Sequence, residues 1–330
     1  MAALVMDVQT GTILYEQNAH VPLPMASTTK IMTALIGLEQ LQPNTLLRLS
    51  SYAASMSPSK IYLKSGEQIR AGDLLQAILV SPANDASVAL AGYISGSEEA
   101  FARLMTRRAR ELGARNTRFE NASGLPAEGH YSTAYDLAVL LRSAMQRPAF
   151  AGIMRLKTTT LVSEAGRIWY LRNHNRLLWT FPGMIGGKTG FTRAARRTYV
   201  GMAERGSRTL IVSVLGSADL WGDVQRLLEY GFGGVGVGET RMVLRSGTKL
   251  LASRPSPRAG PKRAAVAGGN ASAYTAQPGA FRHKKHTEVL RQKRPGRGRV
   301  FRLQRRRQPE GLPTHLDCWA CGDLSHAKGQ

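Results

Sequence analysis

Short apolar runs at both ends of the first 230 residues, with helical patterns between them, most constrain the fold of this chain. Residues 3–16 contain two such runs around a glycine turn, which predicts a β-hairpin. Residues 198–203 and 209–215 predict a second hairpin, and residues 219–230 predict a closing helix. Strands at both ends with helices between them favour an α+β fold.

The middle of the chain predicts mainly helices. Residues 74–80, 101–112 and 136–145 have apolar side chains at helical spacing, and Gly113 is a stop signal for the second of these helices. Residues 52–64 are rich in serine and proline and predict a loop. Residues 154–162 predict an extended segment.

Ser27 stands where a helix N-cap would, because apolar residues recur at helical spacing at Ile31, Leu35 and Leu38. If the helix begins there, Ser27 and Lys30 share one face within hydrogen-bond reach. A lysine whose pKa is lowered by burial and neighbouring cations can take the proton of a serine hydroxyl. The pattern predicts a nucleophile and its base, although alone it is more typical of a capped helix with a surface lysine.

Two further elements could complete such a site. In Lys188-Thr189-Gly190, an ammonium group beside a hydroxyl can hold a carboxylate, and the glycine lets a substrate backbone lie against the strand. Asn84 lies in a break between two helices, where its amide could contact a substrate carbonyl and the amine of Lys30. Taken alone, the first element also fits a plain turn and the second a helix N-cap.

Ser-x-x-Lys, an Asn-containing element and Lys-Thr-Gly, in that order, are the signature of penicillin-interacting serine enzymes. On these motifs, residues 3–234 resemble the D-alanyl-D-alanine carboxypeptidase family of low-molecular-mass penicillin-binding proteins. The resemblance extends well beyond the three motifs. The further matching segments are residues 4–15, 26–34, 84–91, 121–125, 130–138, 175–178 and 187–192.

The resemblance implies a β-lactamase-like or penicillin-binding domain, with an antiparallel sheet flanked by helices and a helical lobe. It implies that Ser27 attacks the carbonyl of the penultimate D-alanine in a peptidoglycan stem peptide and forms an acyl-enzyme. Lys30 would take and return the proton, and Asn84 would be the third catalytic residue. Water then releases the peptide, and neither a metal nor a cofactor is needed.

The resemblance also implies how the substrate is held. Lys188 and Thr189 would hold the terminal carboxylate, with Gly190 beside the substrate backbone. Backbone N–H groups of Ser27 and of the Lys188 strand would form the oxyanion hole. β-Lactam antibiotics would be covalent inhibitors of the same site.

One departure from the family pattern leaves a second interpretation open. The sequence has Pro82-Ala83-Asn84 where the family usually has Ser-x-Asn, so a hydroxyl is missing, and Ser81 stands one residue early. The alternative function is therefore a catalytically impaired protein that binds stem peptides or penicillin. His130 is more typical of a structural role than of a general base.

The C-terminal part of the chain differs in composition. Residues 1–238 are expected to form the carboxypeptidase domain, and residues 239–252 to begin a small β-rich domain. Residues 253–330 are expected to be a basic low-complexity tail, either disordered or aberrant. The last 80 residues carry a net charge of +13 out of +23 for the whole chain, which favours polyanionic partners such as an anionic membrane or wall surface.

The tail also offers a function of a different class. Cys318, Cys321 and His326 have the spacing of three of the four ligands of a zinc knuckle, and Arg305 begins a run of three arginines nearby. Such a tail would bind single-stranded nucleic acid. A chance match is the favoured interpretation, so nucleic acid is not the expected partner.

Cysteine usage and the family resemblance together predict an extracytoplasmic location, in the periplasm or on the outer face of the cytoplasmic membrane. The first 317 residues contain no cysteine, which fits an exported protein and is also compatible with a cytosolic one. The sequence has no signal peptide and no apolar run of membrane-spanning length. The chain is therefore expected to be a fragment that lacks its leader.

Overall fold

The computed structural model describes residues 1–233, which form nine β-strands and nine α-helices. The strands are β1 (Ala2–Asp7), β2 (Ile13–Gln17), β3 (Leu46–Arg48), β4 (Gln68–Arg70), β5 (Thr158–Val162), β6 (Ile168–Arg172), β7 (Met184–Thr192), β8 (Arg196–Arg205) and β9 (Arg208–Ser217). The helices are α1 (Lys30–Gln40), α2 (Ser51–Ser55), α3 (Ala71–Val80), α4 (Asn84–Ser95), α5 (Glu98–Glu111), α6 (Ala134–Met145), α7 (Pro148–Arg155), α8 (Leu177–Thr180) and α9 (Leu220–Phe232). The predicted α+β fold is confirmed.

A five-stranded antiparallel sheet in the order β2-β1-β9-β8-β7 forms the centre of this domain. Both predicted hairpins are confirmed, since β1 pairs with β2 and β8 pairs with β9. The hairpins meet along β1 and β9, where Ala2 pairs with Leu215 and Asp7 with Leu210. One side of β7 has no partner strand within residues 1–233, so its backbone groups can pair with an extended ligand.

The two faces of the sheet bury different residues, because successive side chains of a strand point to opposite sides. Ala3 and Val5 of β1 pack in one core with Leu227 of α9. Leu4 of β1 packs in a larger core, which also contains Ile31 of α1. The sheet is therefore covered by helices on both faces.

The helical lobe is built from α1, α3, α4 and α5, whose apolar faces share the larger core. An ion pair joins two of its helices on the outer side, where Arg108 of α5 donates a 2.8 Å hydrogen bond to Glu39 of α1. Arg147, which precedes α7, also contacts Glu39. These contacts fix α1, which begins at Lys30, against its neighbours.

The prediction that Ser27 caps a helix is wrong. Residues Ala26–Thr29 form a 3₁₀ turn, and the α-helix begins only at Lys30. The turn is tightened because the hydroxyls of Thr28 and Thr29 donate to the carbonyls of the residues three positions earlier, at 2.7 and 2.8 Å. Ser27 is therefore inside a turn, and its side chain is free for other contacts.

Two expectations for the middle of the chain are corrected as well. The loop predicted for residues 52–64 begins inside α2, whose N-cap Ser50 accepts a 3.1 Å hydrogen bond from the backbone N–H of Ala53. The extended segment predicted for residues 154–162 begins inside α7, because Pro148 at the first helical position favours a helix there. The strand itself begins at Thr158.

The interpretations of residues 239–252 and of the basic tail, including Cys318, Cys321 and His326, fall outside the described residues. Within residues 1–233, none of the helices is both long and apolar enough to cross a bilayer.

Candidate active site

The turn that carries Ser27 is held against the sheet and against a neighbouring loop. Thr198 of β8 donates a 2.9 Å hydrogen bond to the carbonyl of Met25. A Cβ on Gly190 of β7 would lie 2.7 Å from the backbone nitrogen of Ser27. A Cβ on Gly124 would lie 2.9 Å from the same nitrogen, and Gly124 has a φ of +85°. Both positions need glycine because the backbones approach so closely.

Lys30 is fully buried directly beneath Ser27. Its side-chain nitrogen donates hydrogen bonds to Ser27 Oγ (3.1 Å), to Asn84 Oδ1 (2.7 Å) and to the carbonyl of Ser123 (2.5 Å). Burial, and second the charge of Lys188, lower the pKa of Lys30 well below its ordinary value.

The geometry around Lys30 fixes the direction of its lone pair. A neutral amine has two N–H donors and one lone pair. The carbonyl oxygens of Asn84 and Ser123 can only accept, so they take both N–H groups of the neutral form. The lone pair then faces the Ser27 hydroxyl, which can donate its proton along the same 3.1 Å line. The arrangement can therefore activate a serine nucleophile.

Asn84 is the first residue of α4 and not its N-cap, which is Ala83. Its side chain is 4% exposed, so both ends of the amide need partners. Oδ1 accepts from Lys30, and Nδ2 donates to the carbonyl of Ser57 at 3.2 Å. The two contacts fix the orientation of the amide towards Lys30.

Residues 121–125 match the family in sequence but were assigned no role in the site, and this loop supplies the Ser123 carbonyl. The side-chain oxygen of Asn121 accepts the backbone N–H groups of Ser123 and Gly124, and its amide nitrogen donates to the carbonyl of Leu125. Asn followed closely by Gly is a turn signal, and it is consistent with the loop found here. The contact of the Ser123 carbonyl with Lys30 could not be predicted from the sequence, because every residue type has a backbone carbonyl.

Two buried carboxylates also lie near Lys30 and were not predicted from the sequence. Glu98 accepts the backbone N–H of Ala122 and the hydroxyl of Tyr52, each at 2.9 Å. Asp85 accepts the backbone N–H groups of Ile61 and Leu63. Both carboxylates raise the pKa of Lys30 and so oppose, in part, the effects of burial and of Lys188.

Lys188 lies on β7 and is 3% exposed. Burial lowers its pKa to about 8, so its ammonium group is still charged at neutral pH. Thr189 and Gly190 follow it on the edge strand, and Gly190 lies beside Ser27. Within residues 1–233 this edge of β7 has no partner strand, and a buried cation next to such an edge can bind an anionic group at the end of an extended peptide.

His130 is held as a neutral side chain behind the turn. Its Nδ1 accepts the backbone N–H of Glu120 at 3.0 Å, which leaves the proton on Nε2, and Nε2 donates to Thr29 Oγ1 at 2.8 Å. Burial, and second the charge of Lys30, lower the pKa of His130 to about 4. These contacts support the structural role expected for His130.

The structure therefore brings Ser27, Lys30 and Asn84 into direct contact, and places Gly190 beside them. Within residues 1–233, the hydroxyl that bonds to Lys30 is that of Ser27, and no side-chain hydrogen bond joins Ser81 to Lys30. Among the same residues, no group of three or more His, Cys, Asp or Glu side chains could hold a metal ion.

Comparison with known proteins gives consistent matches over this domain. A family model described as D-alanyl-D-alanine carboxypeptidase matches residues 1–219. The D-alanyl-D-alanine carboxypeptidase DacF of Bacillus subtilis is 36% identical over 239 residues, which cover 70% of this chain and 61% of that protein. DacB2 of Mycobacterium tuberculosis is 34% identical over 237 residues, which cover 69% of this chain and 81% of that protein. The chain thus spans about three fifths of the length of the first relative.

Solved structures give the same result. A D-alanyl-D-alanine carboxypeptidase from Mycobacterium tuberculosis has a TM-score of 0.67 and 33% identity, covering 70% of this chain and 90% of that one. A point mutant of the Streptomyces K15 DD-transpeptidase has a TM-score of 0.66 and 30% identity, covering 70% of this chain and 97% of that one.

Proposed function

The chain belongs to the D-alanyl-D-alanine carboxypeptidase family, and we propose that it removes the terminal D-alanine from peptidoglycan stem peptides through an acyl-enzyme on Ser27. The observation that carries this proposal is the 3.1 Å contact between the Lys30 side-chain nitrogen and Ser27 Oγ. The low pKa of buried Lys30 supports its role as the base.

In the acylation step, the Ser27 hydroxyl transfers its proton to neutral Lys30, and its oxygen attacks the carbonyl carbon of the penultimate D-alanine. The backbone N–H of Ser27 and one N–H on the free edge of β7 stabilise the oxyanion. Lys30 then gives its proton to the leaving amine as the peptide bond breaks. Asn84 keeps the Lys30 nitrogen aimed at the serine oxygen.

The substrate lies along the free edge of β7. The Lys188 ammonium and the Thr189 hydroxyl bind its terminal carboxylate, and Gly190 allows its backbone to approach Ser27. After D-alanine leaves, a water molecule gives a proton to Lys30 and attacks the ester carbonyl. The acyl-enzyme is hydrolysed, and Ser27 recovers its proton from Lys30.

The test is covalent labelling of the full chain with a fluorescent penicillin, followed by intact mass measurement and an assay of D-alanine release from a peptide ending in D-alanyl-D-alanine. We expect a stable adduct on Ser27 and release of D-alanine. Ser27→Ala should abolish both. Penicillin labelling of the Ser27→Ala variant would contradict the assignment of Ser27 as the nucleophile.

The same experiment separates the alternative function. A chain that forms the penicillin adduct but releases no D-alanine would be an impaired binding protein, as the Pro82 departure suggests. We propose that the protein is located outside the cytoplasm, where it would encounter stem peptides and β-lactam inhibitors. An anionic membrane or wall surface is a further proposed partner, because the chain carries a net charge of +23.

A further inference from the structure

Glu98 is a buried carboxylate that the reaction steps described above do not use. It is the first residue of α5, but the helix is capped by Ser97, whose hydroxyl accepts a backbone N–H of the first turn at 3.1 Å. The Glu98 side chain instead accepts hydrogen bonds from the backbone N–H of Ala122 and from the hydroxyl of Tyr52, each at 2.9 Å. Its carboxylate therefore holds the loop that contains Ala122, and the end of its own helix does not depend on it.

Ala122 is fixed through both of its backbone groups. Its N–H donates to Glu98, and its carbonyl accepts the hydroxyl of Thr33 of α1 at 2.7 Å. Thr33 lies about one turn after Lys30 on the same helix. The next residue of the loop is Ser123, whose carbonyl accepts the Lys30 amine. Because Ala122 and Ser123 are bonded neighbours and both are buried, a shift of the first displaces the carbonyl of the second.

The Ser123 carbonyl is one of the two acceptors that leave the lone pair of Lys30 facing Ser27. If this carbonyl moves away, one N–H of the amine loses its partner, and the lone pair is no longer confined to the direction of the serine oxygen. A misplacement of about 1 Å can cost about a hundredfold in rate. A group that fixes the carbonyl therefore acts on the reaction without touching the substrate.

We propose that Glu98 is a positioning residue for acylation, which holds the Ser123 carbonyl against Lys30 through the backbone of Ala122. The inference rests on the proposed function, because it concerns proton transfer in the same reaction. A glutamine can make both hydrogen bonds of Glu98, since its oxygen accepts the Ala122 N–H and its amide nitrogen donates to the Tyr52 oxygen. Substitution by glutamine therefore separates hydrogen bonding from the negative charge.

The charge of Glu98 has a separate effect on Lys30. Burial, and second the charge of Lys188 on β7, lower the pKa of Lys30. Asp85 of α4 and Glu98 of α5 raise it. His130 also interacts with the Lys30 charge, and it is neutral above a pKa of about 4. Removing the carboxylate charge of Glu98 should lower the pKa of Lys30 and extend acylation to lower pH.

The test is the rate constant of penicillin acylation of the full chain, followed by intact mass from mildly acidic to neutral pH. It is expressed per chain that is finally labelled, so misfolded molecules do not count. Glu98→Ala removes both hydrogen bonds, and we expect its rate constant at neutral pH to fall by about tenfold or more. Glu98→Gln keeps them, so its neutral rate constant should stay within about twofold of that of the unmodified chain, and its acidic limb should begin at lower pH.

Glu99→Gln is the matched control. It removes a charge from the exposed neighbouring residue and should change neither the neutral rate constant nor the acidic limb. A purely structural role of Glu98 would reduce the labelled fraction of Glu98→Ala but not its rate constant, and that result would overturn the proposal. Equal losses in Glu98→Gln and Glu98→Ala would overturn positioning through the hydrogen bonds.

A second variant covers the case in which Glu98→Ala does not fold. Glu98→Met fills similar space without accepting a hydrogen bond, so its rate constant should show the same loss, and an unchanged value would overturn the proposal. A chain without any substitution that forms no penicillin adduct would overturn the proposed function, and this inference with it.

Discussion

The side-chain nitrogen of Lys30 lies 2.7 Å from the side-chain oxygen of Asn84, and both groups are buried. An amide oxygen accepts a hydrogen bond from the amine without bringing a full negative charge to it. Burial can therefore keep the pKa of Lys30 low while its position stays fixed. The choice of an amide at this position decides whether the lysine can act as a base.

Replacing that amide by a carboxylate of the same shape tests this relationship. In Asn84→Asp, the new charge should raise the pKa of Lys30, because an adjacent anion favours the ammonium form. We expect penicillin acylation at neutral pH to fall by about tenfold or more, since each unit of pKa costs about a factor of ten in the neutral base. The rate should recover as the pH is raised. Asn44→Asp adds the same charge at an exposed position and should leave the pH profile unchanged.

Lys188 predicts an alkaline limit to turnover. With a pKa of about 8, its side chain loses its charge, and its attraction for a terminal carboxylate, above that pH. We expect kcat/KM for D-alanine release to fall by about tenfold per pH unit beyond this limit. In Lys188→Arg the charge persists, so the decline should move to higher pH, even though the larger group lowers the rate. An alkaline limit that is the same in Lys188→Arg would assign it to another group.

The close approach of Gly190 to Ser27 predicts a loss of acylation on adding one methyl group. In Gly190→Ala, the new Cβ meets the Ser27 backbone nitrogen and the Thr198 hydroxyl, so β7 must move away from the nucleophile. We expect acylation to fall by about a hundredfold or more, with a stability loss of about 1–3 kcal/mol in thermal unfolding. Gly92→Ala, in an open position on α4, should keep full acylation and gain up to about 1 kcal/mol. Normal acylation by Gly190→Ala would contradict the geometry of the site.

His130 predicts a pH dependence of stability. Its pKa is about 4 in the folded chain and 6.5 in its ordinary state, so between these values the unfolded chain binds more protons. The contribution of neutral His130 to the free energy of unfolding is complete above pH 6.5. It is lost as the pH falls towards 4, at up to about 1.4 kcal/mol per pH unit. His130→Gln should have a smaller slope in urea unfolding over this window. An unchanged slope in His130→Gln would assign the pH dependence to other groups.

Most helices and strands of the fold can be predicted from local sequence patterns. Helix α7 and the 3₁₀ turn at Ser27 cannot, because contacts with distant residues determine them. The hairpins and the main helices are predictable from the spacing of apolar residues and from the turn residues between them. Helix α7 is not, because the apolar run after Pro148 fits a buried strand as well as a helix until its packing is known. The 3₁₀ turn at Ser27 is set by threonine hydroxyls and by Thr198 of β8, which no local pattern around Ser27 shows.

The side chains of the candidate site can be predicted from the sequence, but the groups that hold them in place cannot. Ser27, Lys30, Asn84 and the Lys188 motif stand out because their chemistry resides in side chains. The carbonyl of Ser123 acts through the backbone, so its identity as serine carries no information about its contact with Lys30. Glu98 is likewise indistinguishable by sequence from the exposed acidic residue beside it, since only burial separates the two.

The pairing of β1 with β9 has a consequence for how the active domain is made. The two strands are separated by roughly 200 residues, so a growing chain carries β1 with one edge unpaired until nearly the whole domain has been synthesised. Such distant pairing slows folding, because a long loop must close before its contacts stabilise it. Thr198, which secures the Ser27 turn, also lies late in the chain. Nascent chains that end before residue 208 should therefore form no penicillin adduct, and the ability to react with the antibiotic would report completion of the fold.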